Sequence, residues 1–125
     1  MAGQVIICSN QSHWENNKNS GKVMAFFTAP WSGQAHKLSP TVRDLAMEYP
    51  SIKVLQLDMR HFESLANTMK VEAAPAFLFL KDGKQITKLD YAKPEQLYDT
   101  MEQLQGYINL IISSIWGGGF VLVSY

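Results

Sequence analysis

An α/β fold with a central mixed sheet flanked by helices is predicted by two features of the sequence. Short apolar runs alternate with stretches in which apolar residues recur every three or four positions, a pattern typical of strands separated by amphipathic helices. An Asp82-Gly83 pair lies between the last two apolar runs and indicates a β-hairpin. Together these features predict the element order βαβαβαββα.

The first half of the chain supplies three strands and two helices. The predicted strands are residues 4–8, 22–28 and 52–58, and the predicted helices between them are residues 13–18 and 34–49. The second strand is apolar on both faces, as expected of a central strand covered on both sides. Pro40 should kink the second helix, and Pro50 ends it. All strands that are separated by helices are expected to pair in parallel through right-handed crossovers.

The second half of the chain supplies a short helix, the hairpin and a terminal helix. The predicted elements are a helix at residues 62–69, strands at residues 76–80 and 85–89, and a last helix opened by Lys93-Pro94-Glu95. Pro94 suits the first turn of a helix because its missing N–H would have no intrahelical partner there. The hairpin is expected to form an antiparallel edge of the sheet.

Composition limits the classes of function. With 125 residues, 46% of them hydrophobic, the chain is predicted to form one domain at residues 1–106, followed by an uncharged apolar extension at 107–125. Basic and acidic residues both number 11, so neither nucleic acid nor a membrane surface is an expected partner. The single cysteine, Cys8, excludes an internal disulfide, and the histidines lack metal-ligand spacing. Neither a metal nor a cofactor is expected. A cytoplasmic protein is predicted, because the single cysteine fits a reducing compartment and no signal peptide is visible.

Three motifs resemble those of the thioredoxin family. FTAPWSGQA at residues 27–35 resembles the strand-to-helix segment that ends in Trp-Cys-Gly-Pro-Cys, and VEAAPAFLF at residues 71–79 resembles the loop with a cis proline. The third is the hairpin turn at residues 81–84. The resemblance covers residues 5–104 and is closest to plant cytosolic h-type thioredoxins and their atypical relatives. It implies a thioredoxin-like fold, a cis Ala74-Pro75 bond and a family associated with cell redox homeostasis.

The departures from the family concern its chemistry. The two motif cysteines, which attack and resolve a substrate disulfide, are replaced by Ser32 and Ala35. Without sulfur at either position, thiol–disulfide exchange cannot pass through this turn. The buried acid of the family corresponds to Phe26. Other family residues are replaced as well, a lysine by Val54, a threonine by Ala76 and the glycine of the substrate groove by Tyr91. The motif is therefore interpreted as degenerate, with no catalytic residue.

Ser32 has two interpretations at the predicted helix start. Its hydroxyl can cap the helix by accepting a backbone N–H, which is the favoured interpretation. Alternatively, Ser32 and His36, one helical turn apart, form a nucleophile and its base, although no third group is visible to orient His36. An anion bound at the helix start is a further alternative.

Binding of a protein or peptide in extended conformation is the predicted function, because backbone recognition survives the loss of sulfur. The predicted binding residues are Trp31, Ser32, Gly33, Gln34, Ala74, Pro75, Ala76, Tyr91 and Ala92. Trp31 is either an exposed anchor for the partner or packed against Asp58 or the neighbouring loop. The alternative is a thiol-dependent redox protein, of the protein-disulfide oxidoreductase class, that uses Cys8 or a partner's cysteine. Cys8 is expected to be buried and inert, and any modification would need it exposed. An N-terminal module of a multidomain glutaredoxin is a third possibility.

The C-terminal extension has no charged residue from position 103 to 125. Asn109, a pair of adjacent serines and three consecutive glycines make it a poor membrane-spanning helix, so membrane attachment is not favoured. A cover for one face of the domain and an altered coding end are other interpretations. The run at residues 120–123 has the composition of a self-association strand.

Overall fold

A five-stranded mixed sheet with helices on both faces is the frame of the structure, a computed structural model that describes residues 3–106. The elements are β1 (Val5–Ile7), α1 (Gln11–Asn17), β2 (Lys22–Thr28), α2 (Gly33–Glu48), β3 (Lys53–Asp58), α3 (Glu63–Thr68), β4 (Ala76–Lys81), β5 (Lys84–Asp90) and α4 (Pro94–Gln105). The predicted order is confirmed, and the predicted boundaries agree with the observed ones to within two residues. α1 begins two residues before its predicted start, because the helix cap is Asn10, whose side chain accepts from the His13 N–H.

The sheet has the strand order β1-β3-β2-β4-β5. β1 and β2 both pair in parallel with β3, as predicted. The expectation that every helix-separated strand would pair in parallel is wrong for β4, which is antiparallel to β2. Ala76, the first residue of β4, pairs with Phe27 at the end of β2, beside the end of β3. The chain therefore leaves β3 and enters β4 at the same end of the sheet, since the six-residue α3 is too short to cross back along the strands.

The core consists of two apolar layers, one on each face of the sheet. Along β2, Met24 and Phe26 pack in the layer under α2 and α4, whereas Val23, Ala25 and Phe27 pack in the layer with α1 and α3. All five side chains are fully buried. This alternation confirms the prediction of a strand covered on both faces, and it follows from the two-residue period of side chains along a strand.

The β4–β5 hairpin turns at Asp82 and Gly83, as predicted. Their φ angles are 52° and 84°, so both central residues occupy the left-handed region that a type I′ turn requires. The turn is fixed to the body of the domain, since the Asp82 N–H donates to the Gly21 carbonyl over 2.8 Å. α2 continues as one helix through the exposed Pro40, and the kink there stays a prediction.

Residues 107–125 lie outside the described residues, and so do the expectations about them: the extension, its membrane attachment and self-association through 120–123. Within residues 3–106, none of the helices has the length and apolar character needed to cross a membrane.

Candidate functional site

The turn between β2 and α2 is organised by Ser32. Its hydroxyl accepts from the Ala35 N–H over 3.1 Å and donates to the Ala74 carbonyl over 3.0 Å. The first bond caps α2, as predicted. The second joins the helix start to the loop before β4, which is 42 residues away in the chain. Ser32 is buried, with 8% of its surface exposed, so both functions of its hydroxyl serve the fold.

His36 does not act on Ser32. Its Nε2 atom lies 3.3 Å from the Pro30 carbonyl oxygen, on the exposed side of the turn. The Ser32 hydroxyl already donates its proton to a carbonyl rather than to a base. The nucleophile–base interpretation of this pair therefore lacks the hydrogen bond that it needs.

The loop before β4 has the conformation that the resemblance implies. The Ala74-Pro75 peptide bond is cis. The Tyr91 N–H donates to the Pro75 carbonyl over 3.2 Å, while Ser32 binds the Ala74 carbonyl. The loop is thus held from two sides. Within residues 3–106, the Ala74 N–H donates to no other residue.

A groove of about 220 Å³ lies beside Pro75, between the first turns of α2 and α4. Its lining residues are Gln34, Lys37, Leu38, Pro75, Tyr91, Ala92, Lys93 and Pro94. The groove brings together four predicted binding residues. Sequence reasoning missed Lys37, Leu38, Lys93 and Pro94. Helical spacing from Gln34 would have indicated the first two, since residues three and four positions apart share a helix face.

The other predicted binding residues lie outside this lining. Ala74 is buried in the layer under α2 and α4, and Gly33 begins α2. Ala76 is fully buried in the opposite layer, with α1 and α3. Its side chain therefore faces away from the groove, since side chains alternate along β4. Only the backbone of Ala76 is near the cis-proline loop.

Tyr91 forms one wall of the groove without filling it. The residue is 55% exposed and has a φ of 52°, a left-handed conformation that glycine adopts without strain. The replacement of the family's glycine therefore adds an aromatic ring and leaves the groove present.

Trp31 is exposed rather than packed against Asp58. The indole has 68% of its surface exposed. The Asp58 carboxylate instead accepts from Arg60, at 3.2 Å from Nε and 2.8 Å from Nη2. These hydrogen bonds hold the pKa of Asp58 below its usual range. Trp31 is therefore accessible to a partner.

The position that the resemblance assigns to the family's buried acid is part of the core. Phe26 is fully buried and stacks on Phe77, with ring centroids 5.0 Å apart and an interplanar angle of 10°. Val54, which replaces the family's lysine, is buried in the same layer. The interior behind the motif therefore contains no titratable group at either position.

Cys8 lies away from the motif. It follows β1, is 5% exposed, and packs in the layer with α1 and α3, whereas Ala35 and Ala74 belong to the other layer. Burial raises the pKa of its thiol, which lowers the fraction of reactive thiolate. The prediction of a buried cysteine is confirmed, and the geometry does not favour Cys8 as a nucleophile.

The histidines do not form a metal site. His36 and His61 are exposed, whereas His13 is half-buried and accepts from the Ser9 N–H through Nδ1. Within the described part of the chain, no group of three or more histidine, cysteine or acidic residues is arranged to hold a metal ion.

The fold and the site define an α/β protein with a cis-proline loop, a groove beside it and a capping serine in place of a nucleophile. The chain matches the family described as "Thioredoxin" over residues 4–103. It is 34% identical over 104 residues to thioredoxin H1 of Arabidopsis thaliana, covering 79% of this chain and 91% of that protein. It is 37% identical over 100 residues to the putative thioredoxin H10 of the same plant, covering 76% and 65%.

Solved structures show the same relationship. A poplar thioredoxin h mutant has a TM-score of 0.77 and 26% identity, covering 82% of this chain and 84% of its own. A chain from the complex of ferredoxin:thioredoxin reductase and thioredoxin f2 has a TM-score of 0.76 and 26% identity, covering 83% and 97%. The protein therefore belongs to the thioredoxin family, a redox-related family. Its only cysteine is Cys8, so both motif cysteines of the family are lost.

Proposed function

We propose that this protein is a redox-inactive member of the thioredoxin family that binds partner proteins through the groove beside Pro75. The observation that carries the proposal is the state of Ser32. Its buried hydroxyl bonds to Ala35 and Ala74 at the place where the family has its nucleophile, while the groove beside it persists. In this proposal Ser32 has a structural role in place of a catalytic one, and the groove is the surface that binds the partner.

An extended peptide is the partner that this surface suits. The Ala74 N–H, which donates to no other residue within residues 3–106, can donate to the backbone of an added strand, as in other cases of β-strand addition. The exposed Trp31 and Tyr91 supply large rigid contact areas of the kind that dominate binding energy. Binding of this kind requires no disulfide in the protein or its partner, which suits the reducing cytoplasm that the sequence predicts.

Reduction of insulin disulfides by dithiothreitol tests the redox-inactive state. The natural protein is expected to leave the rate at background, because neither motif position has sulfur. The variant Ser32→Cys with Ala35→Cys is expected to gain activity. The matched control, Asp44→Cys with Met47→Cys, places two exposed thiols at the same spacing on α2 away from the groove, and it should gain little.

Either of two results would contradict the proposal. Reduction above background by the natural protein, abolished by Cys8→Ser, would establish the thiol-dependent alternative. A folded motif variant no more active than its matched control would show that the groove does not receive a disulfide-bearing chain. Circular dichroism of each variant verifies that it is folded.

A further inference from the structure

Among the residues that the structure describes, the groove beside Pro75 is lined by charge of one sign. Lys37 and Lys93 both line it, and the lining contains no carboxylate. The salt bridges within residues 3–106 involve Lys18, Arg60, Lys81 and Lys88. Because Lys37 and Lys93 are in none of them, both ammonium groups are available to a ligand.

This charge is local rather than general. Basic and acidic residues balance over the chain, so no overall field attracts anions. A larger cavity of about 590 Å³ at the β1 edge is lined by both Arg43 and Asp44 and therefore has charges of both signs. The groove beside Pro75 has one sign only, on a largely apolar lining that includes Leu38 and Tyr91.

We propose that the groove selects extended peptide segments with an aspartate or glutamate next to an apolar residue. The carboxylate pairs with Lys37 and Lys93, and the apolar neighbour packs on Pro75 and Tyr91. This inference rests on the proposed function, and it specifies the partner by charge complementarity. Charge pairs at a rim mainly raise the association rate and weaken with salt, so selectivity should be salt-dependent.

Disulfide capture of defined peptides tests the selectivity. The probes are short peptides with one cysteine blocked as a nitrothiobenzoate disulfide and a glutamate or a glutamine placed at each flanking position in turn. In the Ser32→Cys variant, the introduced thiolate attacks the peptide sulfur, a protein–peptide disulfide forms, and nitrothiobenzoate leaves as a coloured thiolate. The natural protein, with its buried Cys8, measures the background.

At least one glutamate peptide should react about three to ten times faster than its glutamine counterpart at low salt. Adding Lys37→Gln and Lys93→Gln should remove this difference. Adding Arg43→Gln and Lys84→Gln should preserve it, because that control removes the same charge from exposed positions outside the groove. About 0.5 M NaCl should also reduce the difference.

The reaction rates of the peptides distinguish failure of the proposed function from failure of acidic selectivity. If glutamine peptides react no faster than N-acetylcysteine blocked in the same way, no peptide is held and the proposed function fails. If peptides react faster than that small probe but glutamate and glutamine are equal, the proposed function stands and acidic selectivity is overturned. If the lysine variant and its control lose the preference for glutamate peptides equally, the selectivity is also overturned. That result would indicate an effect of overall charge rather than of the groove.

Discussion

At the scale of single residues, three substitutions relative to the family fit the structure around them. Ser32 closes the turn by two hydrogen bonds, and Phe26 fills the place of a titratable acid. Tyr91 adds an exposed ring where the family has glycine. None of these changes disturbs the fold, because a capping hydroxyl, a core aromatic and an exposed aromatic all suit the positions that they occupy.

Phe26→Asp, which would return the family's residue, should lower the free energy of unfolding by about 4 kcal/mol or more. The change removes the stack on Phe77 and places a carboxylate in a fully apolar layer. Urea unfolding monitored by circular dichroism gives the difference. The conservative control Phe26→Leu should lose only about 1 kcal/mol. A loss for Phe26→Asp as small as that of the control would show that the layer accommodates an acid.

Tyr91→Gly should raise the free energy of unfolding by up to about 1 kcal/mol. A left-handed conformation costs an L-residue about 1–2 kcal/mol, and glycine's extra freedom in the unfolded chain offsets only part of that. Tyr91→Ala is the matched control, because it removes the ring and keeps the strained Cβ. Equal unfolding free energies of the two variants in urea would contradict backbone strain at this position.

At the scale of elements, one polar contact joins the end of α2 to α4. The Tyr49 hydroxyl donates to Glu102 Oε1 over 2.7 Å, and the Tyr49 ring is buried beside Tyr98. The hydrogen bond, burial and the charge of Glu102 raise the pKa of Tyr49 to about 12. The protonated hydroxyl therefore stabilises the packing of the two helices.

Tyr49→Phe should lower the free energy of unfolding by about 1 kcal/mol at neutral pH. Because the folded pKa of Tyr49 is above its unfolded value, this contribution is complete below about pH 10 and is lost as pH rises through about 12. Urea unfolding of both proteins across this range measures the difference. Tyr98→Phe, which removes a neighbouring hydroxyl without breaking the bond to Glu102, should not show this loss at neutral pH.

At the scale of the whole molecule, the two apolar layers lie within residues 3–106. Every buried core residue that the structure describes falls between Cys8 and Leu104. The chain ending at Gly106 should therefore unfold in one cooperative transition, with a free energy within about 1 kcal/mol of the full chain. Urea unfolding of the two chains measures this, and a larger loss would contradict the predicted domain boundary.

The same pair of chains tests the predicted self-association at residues 120–123. Sedimentation velocity at increasing concentration should show association of the full chain and a monomer for the chain ending at Gly106. Equal sedimentation of the two chains would remove that role from the extension.

Local patterns in the sequence determined the order of the elements, the hairpin at Asp82-Gly83 and the cap at Ser32, because each depends on neighbours within a few residues. The loss of both motif cysteines was also visible in the sequence alone. Tertiary structure alone decided the antiparallel pairing of β4, which depends on the end of the sheet at which the chain re-enters it. It also decided that Lys37 and Lys93 share a groove with Pro75, since residues distant in sequence meet only when the sheet and helices pack.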